Sequence, residues 1–508
     1  MGIVLPMAHR MRAQGPHVYQ YRGIFHAADS GKYFSYPLII PRGTRRVEIS
    51  LAYTHNSGNN VLGVQVFDQN GFRARGRAQK AKGNWGHVES VIDTDCRNRG
   101  VVPGEIAPGI WTLEIDTYCV KSGCIFELVT EIYQGATVSP RQQDGASGRR
   151  GTGGFQAASR LDTSQRPLRQ RSGWYRGDLH VHSEESDGTL EVRDLMHLAI
   201  IRGLDFLAIT DHNVHTAWQQ LATELSEFCL PLTGIELSTY QGHGNALGVR
   251  DWVDWRLGLG DYGVNEMIRR VQELGGIFSI NHPRTGKLPI GHACWRAEDV
   301  DYNLVDAIEV WNAPVFSNGT GANQESRRFW DQLLNQGYRI TGIGGSDAHY
   351  TDGSHQPLGV PLTYVYALSL SQAEIISGIR KGNVFMTVGP KIYFTATSQS
   401  GTKAIVGESL ALSQCREQVW LHINIKGAPL GSELRLLKNG TPCLSEKISD
   451  TGLLSIAWSD DEALGAAGSQ TWYRVELYAS TKESAPGDDG LLAITNPIYV
   501  DVAPGLIA

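Results

Sequence analysis

The sequence predicts a mixed α/β protein in which a distorted seven-stranded βα barrel lies between two β-sandwich domains. Apolar runs alternate with helical stretches in the middle of the chain, which predicts a parallel sheet closed into a barrel. Short alternating strands separated by turn residues occupy both flanks, as in β-sandwiches. Polar clusters follow several of the central apolar runs, where a βα barrel places its chemistry. A chain of 508 residues is long enough for several such domains.

Composition divides the chain into five segments. The predicted bounds are residues 1–17 for an N-terminal tail, 18–135 for a β-sandwich domain, 136–172 for a flexible linker, 173–390 for the barrel and 391–508 for a second β-sandwich domain. The linker is rich in Gly, Arg, Gln and Ser and poor in large apolar residues. It cannot bury enough apolar surface to offset the entropy of ordering it, so we expect it to be exposed and protease-sensitive.

The N-terminal region is interpreted as all-β. Residues 47–51 and 62–67 alternate between apolar and polar side chains, and residues 68–71 form a hairpin-type turn signal. We expect this domain to pack against the barrel or to shield it. A glycan-binding role is the alternative, with the candidates Asn60, Asp68 and Trp85.

The central and C-terminal regions differ in their periodicity. Helices are predicted in the barrel segment at residues 190–202, 217–228, 265–274, 323–336 and 371–380. After residue 390 the chain returns to short alternating strands, predicted at residues 420–425, 434–437, 473–478 and 495–500. This change predicts the second β-sandwich.

Charge and cysteine content exclude several classes of protein. Charged residues make up 19% of the chain and the net charge is −6, so there is no electrostatic case for binding nucleic acid or an anionic membrane. No apolar run reaches the roughly eighteen residues of a membrane span. The N-terminus does not resemble a signal peptide, which predicts a cytoplasmic protein; a removed leader would make it periplasmic.

Seven cysteines at sparse spacing argue against a disulfide framework, although Cys119 and Cys124 are spaced to pair across a hairpin.

The segment of residues 176–188, RGDLHVHSEESDG, carries the clearest chemical signal. His180 and His182 are two residues apart between apolar neighbours, and side chains at i and i+2 of a strand point to the same face. Asp187 follows in a loop. Two imidazoles and a carboxylate in this arrangement are typical of a metal site.

Further residues of the ligand type follow the later apolar runs. They are His212, Glu236, His243, His282, Asp347 and His349. Four other histidines are interpreted as core or surface residues: His197, His215, His292 and His355. The nine-residue set is imidazole and carboxylate without thiolate, which favours Mn, Fe or Zn. More than four ligands argue against one closed structural site. Two ions a few ångströms apart hold a hydroxide that attacks an ester, which is the expected reaction.

Taken together, these motifs resemble the polymerase and histidinol phosphatase (PHP) superfamily of metallohydrolases. The order is HxH, Asp, TDH, Glu, His, INHP and GSDAH, at the positions named above. The layout of flanking β domains and the TNPIYV strand near the C-terminus is similar to the subgroup that includes carbaryl hydrolases. The resemblance implies two or three divalent ions.

The resemblance also implies a distribution of ligands. A first ion would be held by His180, His182, Glu236 and Asp347, a second by Glu236, His243 and His282, and a third by Asp187, His212 and His349. Glu236 would bridge the first two ions. Some members of the superfamily have His where this chain has Asp187, and a carboxylate there resembles the phosphatase branch. Asp178 and Asp211 are expected either to orient ligand imidazoles or to act as caps and turn residues.

Substrate recognition is predicted from the residues beside the motifs. Arg284 follows His282 directly, and its guanidinium would neutralise a phosphoryl oxygen. Asp347 or a histidine such as His349 would handle protons. Other candidates are Lys287 and Arg296 as cations, Glu309 and Asn312 as wall residues, and Trp295, Trp311 and Phe316 as the seat of an ester group.

The predicted function is a metal-dependent phosphoesterase, with a phosphodiester of small-molecule, organophosphate type as the expected substrate. Few cations lie near the motifs, and a diester carries one negative charge where a monoester carries two. Phosphomonoester hydrolysis and carbamate or carboxylic ester hydrolysis remain alternatives, because polarising a carbonyl needs the same Lewis acids. A binding protein with a degenerate barrel is the alternative from another class.

Overall fold

The fold is described from a computed structural model. The description covers residues 5–10, 16–56, 60–94, 98–135, 167–221, 227–284, 294–313, 321–350, 357–412, 418–449, 452–460, 471–481 and 490–502. Most of the predicted linker, residues 136–166, lies outside these ranges. Residues 167–172 lie inside them, and Leu168 N donates to Leu370 O at 2.7 Å, which attaches this end of the linker to the central region.

The N-terminal region forms two facing sheets. Its strands are β1 (Leu5–Arg10), β2 (His17–Phe25), β3 (Tyr33–Ile40), β4 (Thr44–Thr54), β5 (Asn60–Asp68), β6 (Gly71–Arg75), β7 (Arg77–Lys82), β8 (Trp85–Asp93), β9 (Gly109–Val120) and β10 (Cys124–Gln134), with a 3-10 turn at Ala27–Asp29. One sheet has the order β1-β2-β10-β4-β8-β7 and the other β3-β9-β5-β6. Val47, Ile49 and Leu51 of β4 are buried as predicted and share one core with β3.

The central region alternates strands and helices. Its strands are β11 (Gly173–Asp178), β12 (Phe206–Ile209), β13 (Leu230–Thr239), β14 (Gly242–Leu247), β15 (Ile277–Ile280), β16 (Ala307–Asn312), β17 (Thr341–Gly345), β18 (Leu362–Ala367) and β19 (Val384–Thr387). Its helices are α1 (Val192–Ile201), α2 (Trp218–Leu221), α3 (Val264–Glu273), α4 (Ala322–Asn335) and α5 (Gln372–Arg380). Helix α3 shows why the sequence prediction works: its buried residues recur at helical spacing, namely Val264, Met267, Ile268 and Val271.

The seven-stranded βα barrel is not confirmed. The central sheet runs β17-β16-β15-β14-β13-β12-β11-β18-β19, and β14 is antiparallel to both of its neighbours. The turn between β13 and β14 contains Tyr240 and Gln241 only, too short for the crossover helix that a parallel pair needs. The strand–helix repeat is therefore broken at β14, and the shown architecture is a mixed α/β region with β-rich additions on both sides.

The C-terminal region continues the central sheet. Its strands are β20 (Lys391–Ser398), β21 (Lys403–Ile405), β22 (Ser409–Leu412), β23 (Val419–Lys426), β24 (Glu433–Lys438), β25 (Thr441–Lys447), β26 (Leu453–Asp460), β27 (Thr471–Tyr478), β28 (Leu491–Thr495) and β29 (Ile498–Val502). β28 pairs antiparallel with β19, and β27, β24 and β25 follow it in the same sheet. A separate sheet, β21-β20-β23-β26, packs against this extension over a common core. The five predicted domain bounds stay predictions.

Several smaller expectations are also resolved. Cys119 and Cys124 are buried and are not joined to each other by a disulfide. Asn60 is fully buried and donates to Thr54 O at 2.8 Å, which gives it a structural role and removes it as a glycan ligand. His215 is half-buried against Trp218, and burial lowers its pKa to about 4. His292 and His355 lie outside the described residues. No helix in the described part of the chain has the length and apolarity needed to cross a membrane.

Candidate metal centre

The predicted ligands meet at one edge of the central sheet. His180 and His182 follow β11, are fully buried, and have ring centroids 5.2 Å apart. A parallel bridge joins Val181, between them, to the segment after β17 that carries Asp347 and His349. His180 and Asp347 stand near the two ends of the predicted motif series and are 167 positions apart in the chain. The bridge brings these two ends together.

Glu236 lies at the centre of this cluster. It is part of β13 and is fully buried. Oε1 faces three imidazoles and Oε2 faces two. The ring nitrogens lie at 3.4 Å for His180, 3.4 Å for His182, 2.9 Å for His212, 3.1 Å for His243 and 3.1 Å for His282. A carboxylate surrounded in this way is suited to share its oxygens between cations.

Two more carboxylates contact the same imidazoles. Asp347 Oδ1 lies 3.1 Å from His182 Nε2 and 3.4 Å from His180 Nε2. Asp187 is more accessible and lies 3.4 Å from His349 Nε2 and 3.6 Å from His182 Nδ1. The structure therefore brings all nine predicted ligand residues into one network.

The ligand atoms fall into overlapping groups small enough to surround an ion. Within each group the atoms lie within 4.8 Å of one another. The groups are His182, Asp187, His212 and His349; His180, Glu236 and His282; His180, His182 and Asp347; and His212, Glu236 and His243. The groups share members, because His180, His182, His212 and Glu236 each belong to two of them.

The donor atoms also fit a metal by their lack of other partners. In the described part of the chain, five buried atoms of the cluster have no hydrogen-bond partner: His180 Nε2, both ring nitrogens of His182, Glu236 Oε2 and His282 Nδ1. Unsatisfied buried polar atoms are costly unless something binds them. Imidazole nitrogens and carboxylate oxygens that converge without hydrogen bonds are the donor set of a divalent ion.

The charges of the cluster depend on one another. Burial alone would lower the pKa of His212, but Asp187 and Glu236 raise it to about 10. Burial also opposes ionisation of Glu236, yet neighbouring histidines, His180 first, hold its pKa well below the usual range. The pKa of His182 is lowered to about 4 by burial and by neighbouring histidines. The site thus favours ionised carboxylates that attract positive charge, which suits cations.

Glu309 and Asn312, named from the sequence as wall candidates, support the ligands. Glu309 Oε1 lies 3.1 Å from His180 Nδ1, and its Oε2 accepts from His282 N at 2.9 Å. Asn312 Nδ2 donates to Glu309 Oε2 at 3.0 Å and to Asp347 Oδ2 at 3.3 Å. A carboxylate on one ring nitrogen fixes the tautomer of a ligating histidine. Glu309 therefore directs Nε2 of His180 toward the cluster.

Two contributors were missed by the sequence reasoning. Asn281 Nδ2 donates to Glu236 Oε1 at 3.0 Å. Ser238 Oγ lies 2.6 Å from His212 Nδ1. A signal for Ser238 was available, because it stands two residues after Glu236 on β13 and so shares its face.

Asp178 and Asp211 do not act on imidazoles. Asp178 accepts hydrogen bonds from the backbone N–H groups of His180 at 3.2 Å, Ser346 at 3.1 Å and Gly359 at 2.7 Å. Asp211 accepts from Ser183, at its backbone N and at its hydroxyl. Both carboxylates thus hold the loops that carry the ligands, which is the turn-residue alternative and not the orientation of ligand rings.

Backbone geometry at the cluster is unusual. φ is +26° at His282 and +51° at Asp347, in the left-handed region that non-glycine residues rarely adopt. Strain of this kind concentrates at functional sites. Gly345 is required by close approach, because a Cβ there would lie 2.4 Å from His180 Cβ and 2.7 Å from Glu309 Oε1.

Of the predicted substrate residues, Arg284, Trp295, Arg296 and Trp311 lie within the described ranges. Arg284 is exposed, with its guanidinium carbon 4.1 Å from the ring centroid of Phe329. Trp295 and Trp311 are only 3% and 2% exposed and belong to the hydrophobic core. Arg296 is exposed. Lys287 and Phe316 lie outside the described residues.

A cavity of about 250 Å³ opens beside the cluster. Asp187, His212 and His243 line it from the central region. The N-terminal sandwich supplies another part of its lining, including Arg75 and Tyr118. Arg75 and His212 are 137 positions apart, so no local pattern in the sequence joins them.

Comparisons with known proteins concern mainly the central segment. Residues 178–291 match the family model of the PHP domain. A 5'-3' exoribonuclease of Haemophilus influenzae is 38% identical over 69 residues, which are 13% of this chain and 25% of that protein. An uncharacterised protein of Methanocaldococcus jannaschii is 29% identical over 151 residues, 27% of this chain and 82% of that one. The chain thus spans about a quarter of the exoribonuclease.

One solved structure resembles a larger part of the chain at low similarity. It is a two-domain protein of Bacteroides vulgatus described as containing a predicted PHP-like metal-dependent phosphoesterase, with 16% identity and a TM-score of 0.35, covering 67% of this chain and 100% of that one. The carbaryl hydrolase subgroup stays a prediction. The part of the chain that matches the PHP domain, residues 178–291, contains seven of the nine ligand-type residues.

Proposed function

We propose that this protein is a metal-dependent phosphoesterase that acts preferentially on small phosphodiesters. The observation that carries the proposal is the position of Glu236, whose two oxygens face five imidazoles and which belongs to two of the four ligand groups. Two or three ions of Mn, Fe or Zn bound by this cluster would activate a water molecule and neutralise charge on the phosphoryl group.

The proposed ligand assignment follows the sequence motifs. His180, His182, Glu236 and Asp347 would hold one ion, Glu236, His243 and His282 a second, and Asp187, His212 and His349 a third. This assignment places Glu236 between two ions. The overlapping groups of donor atoms support the sharing of Glu236, which occurs with His180 and His282 in one group and with His212 and His243 in another. They place His243 with His212 and not with His282.

The chain's own residues would position these ligands and move protons. His180 donates Nδ1–H to Glu309 and keeps Nε2 for the cluster. His349 Nδ1 lies 2.8 Å from the backbone O of Asp347, so Nδ1–H donates there and Nε2 faces Asp187. Asp347 and His349 are the groups proposed to handle protons during ester cleavage.

Charge around the cavity favours a diester over a monoester. A monoester is a dianion near neutral pH and calls for several cations besides the metals. Of the described residues that line the cavity, Arg75 is the one arginine or lysine. The exoribonuclease relative belongs, by its name, to a class of enzymes that cleave phosphodiester bonds. The net charge of −6 nevertheless favours a small-molecule substrate over nucleic acid.

The first experiment tests substrate class. On one metal-loaded preparation, kcat/KM is compared for an aryl phosphate, its alkyl aryl diester and an aryl carbamate. We expect the diester to be fastest. A clear preference for the carbamate would replace the proposal with a carbaryl-hydrolase-like activity, and a preference for the monoester would make the protein a phosphatase. No turnover of any ester by protein loaded with each of the three metals would favour a binding protein.

The second experiment tests the cluster. Glu236→Ala is expected to lower bound metal by more than one equivalent and to abolish turnover, because it removes the shared ligand. Glu273→Ala is the matched control, since that carboxylate is 65% exposed on α3 and should change neither quantity. Full metal content and a normal rate in Glu236→Ala would overturn the ligand assignment. Arg284→Ala tests the predicted role of Arg284, and it is expected to lower turnover of the diester more than turnover of a neutral ester.

A further inference from the structure

The wall of the cavity that faces the cluster comes from the N-terminal β-sandwich. Four apolar residues of this domain line it: Val61, Leu62, Ala78 and Val88. They lie on β5, β7 and β8, which belong to both sheets of the sandwich. An apolar wall beside ionised carboxylates and imidazoles makes one cavity with two chemically distinct sides.

Arg75 stands between these two sides. Its Nη1 donates to the backbone O of His212 at 2.7 Å, and its Nη2 lies 3.4 Å from the hydroxyl of Tyr118. Tyr118 OH in turn donates to Ser238 O at 3.0 Å, so the pair is held against the strand that carries Glu236. The acceptors in these two hydrogen bonds are neutral oxygens, and the carboxyl of Asp116 is close enough for the charge of Arg75 to lower its pKa. Its positive charge is therefore fixed at the rim of the cluster without being neutralised by these two contacts.

We propose that Arg75 is a substrate-binding residue that pairs with a non-bridging phosphoryl oxygen, and that the apolar wall of the N-terminal domain seats the organic group of the ester. This inference rests on the proposed phosphoesterase function and assigns its substrate class: a small phosphoester that carries an apolar alkyl or aryl group. A guanidinium presents several N–H donors in a plane and suits phosphoryl oxygens.

The size of the cavity supports this substrate class. Its volume of about 250 Å³ lies just below the range of roughly 300–1,000 Å³ that is typical of ligand pockets, so one small apolar group fits. Val61 is half-buried and Ala78 is exposed, so these two present the accessible surface of the wall, while Leu62 and Val88, only 3% and 1% exposed, lie behind it in the core.

The competing explanation is that Arg75 has only a structural role and attaches the sandwich to the loop of His212. A purely structural role predicts that loss of Arg75 displaces His212 and lowers metal content. A binding residue predicts that the charge matters while metal content stays unchanged. Arg75→Gln separates the two, because glutamine keeps an N–H donor for the His212 carbonyl but has no charge. Arg75→Lys restores the charge and should recover part of the function.

The experiment measures binding as well as turnover on the metal-loaded full chain. Calorimetric titration with phenylphosphonate and methylphosphonate uses two non-hydrolysable probes that share the anion and differ in the apolar group. For the wild type we expect tighter binding of phenylphosphonate. Arg75→Gln should weaken the binding of both probes by roughly tenfold or more, which is the loss typical of one charge-assisted hydrogen bond. The metal content should stay unchanged. Arg22→Gln, an exposed arginine paired with Glu127, is the matched control.

A second variant tests the wall. Val61→Thr keeps the shape of the side chain and replaces one methyl group by a hydroxyl, so it should reduce the preference for phenylphosphonate while methylphosphonate binding stays the same. Unchanged phenylphosphonate affinity in Arg75→Gln would overturn the assignment of Arg75. Metal loss in Arg75→Gln would overturn the assignment in favour of a purely structural role for Arg75. A wild type that binds neither probe would also overturn it.

The same measurements distinguish this inference from the proposed function. Arg75-dependent phosphonate binding without turnover of any phosphoester would leave the binding role standing and remove the phosphoesterase. Diester turnover that is equal in wild type and Arg75→Gln would leave the phosphoesterase standing and remove the role of Arg75.

Discussion

The two β-rich regions are joined to the central region in different ways. The C-terminal region shares a sheet with it through the backbone ladder between β19 and β28. The N-terminal sandwich is joined by side chains: Arg256 pairs with Glu114 at 3.0 Å, and Phe72 stacks on Trp252 with centroids 5.1 Å apart. Within the described ranges, its two sheets stay separate from the central sheet. The C-terminal region is thus part of the scaffold, whereas the N-terminal domain is docked over the cavity.

The buried side-chain amide of Asn496 hydrogen-bonds to two strands of the shared sheet. Asn496 follows β28 and is fully buried. Its Nδ2 donates to Gly342 O at 2.7 Å and to Val384 O at 3.0 Å, and its Oδ1 accepts from Gly342 N at 2.7 Å. Gly342 belongs to β17, the strand that leads to Asp347. The C-terminal region therefore satisfies the backbone of a strand that positions a proposed ligand.

Asn496→Ala tests the scaffold role and should have the largest effect. It leaves the N–H and the C=O of Gly342 buried without these partners, and each such group costs about 1–3 kcal/mol. We expect a loss of about 3 kcal/mol in the apparent free energy of unfolding, measured by urea denaturation, together with a lower bound-metal content.

The control for this variant is Asn424→Ala. Asn424 is an exposed residue of β23, on the sheet that is separate from the central one. Its removal should change stability by less than about 0.5 kcal/mol. If Asn496→Ala were equally mild, the C-terminal region would be an appended domain like the N-terminal one.

The comparison also shows what the sequence is able to predict. The positions of the ligand-type residues follow from local patterns, because His180 and His182 stand at the end of an apolar strand and Asp347 at the end of another. Strand ends meet at one edge of a sheet, so residues far apart in the chain are predicted to converge. Helix α3 was likewise predicted to within one residue at each end, because its apolar residues keep a 3.6 period.

What the sequence missed depends on contacts between regions. Arg75 reaches His212 across 137 positions, and Asn496 reaches Gly342 across 154. Neither contact leaves a local pattern, because each is set by how two finished sheets pack. The reversal of β14 was missed for a different reason: a buried strand has the same apolar pattern in a parallel and an antiparallel sheet, and only the short turn before it signals the reversal.

The docked interface contains a buried acid that should make it sensitive to pH. Burial raises the pKa of Asp116 from 3.8 to about 7, although a hydrogen bond from Tyr240 and the charge of Arg75 lower it. The folded protein thus favours the neutral acid. That contribution to stability is complete below the unfolded pKa near 3.8 and is lost as the pH rises through about 7.

Asp116→Asn should remove this dependence, because an amide does not ionise. We expect the stability of the variant relative to wild type to rise between pH 5 and pH 8, by on the order of 2 kcal/mol, in urea denaturation at fixed ionic strength. Tyr240→Phe provides the second test: it removes the hydrogen bond that favours the ionised acid, so the folded-state pKa of Asp116 should rise and the loss of stability should continue to a higher pH. Parallel curves for wild type and Asp116→Asn would contradict the prediction.

The smallest expected effect concerns the aromatic contact between the docked domain and the central region. Phe72 and Trp252 are nearly parallel, with an interplanar angle of 11°, and Trp252 Nε1 donates to Asn213 O at 3.1 Å, next to His212. A double-mutant cycle with Phe72→Leu and Trp252→Leu should give a coupling of about 1 kcal/mol, typical of an aromatic pair. The matched cycle pairs Phe72→Leu with Trp174→Leu, whose ring packs on Phe385 instead, and should be additive. Additivity in both cycles would mean that this stacking does not hold the domain, and that polar contacts such as that of Arg256 with Glu114 dock it over the cavity.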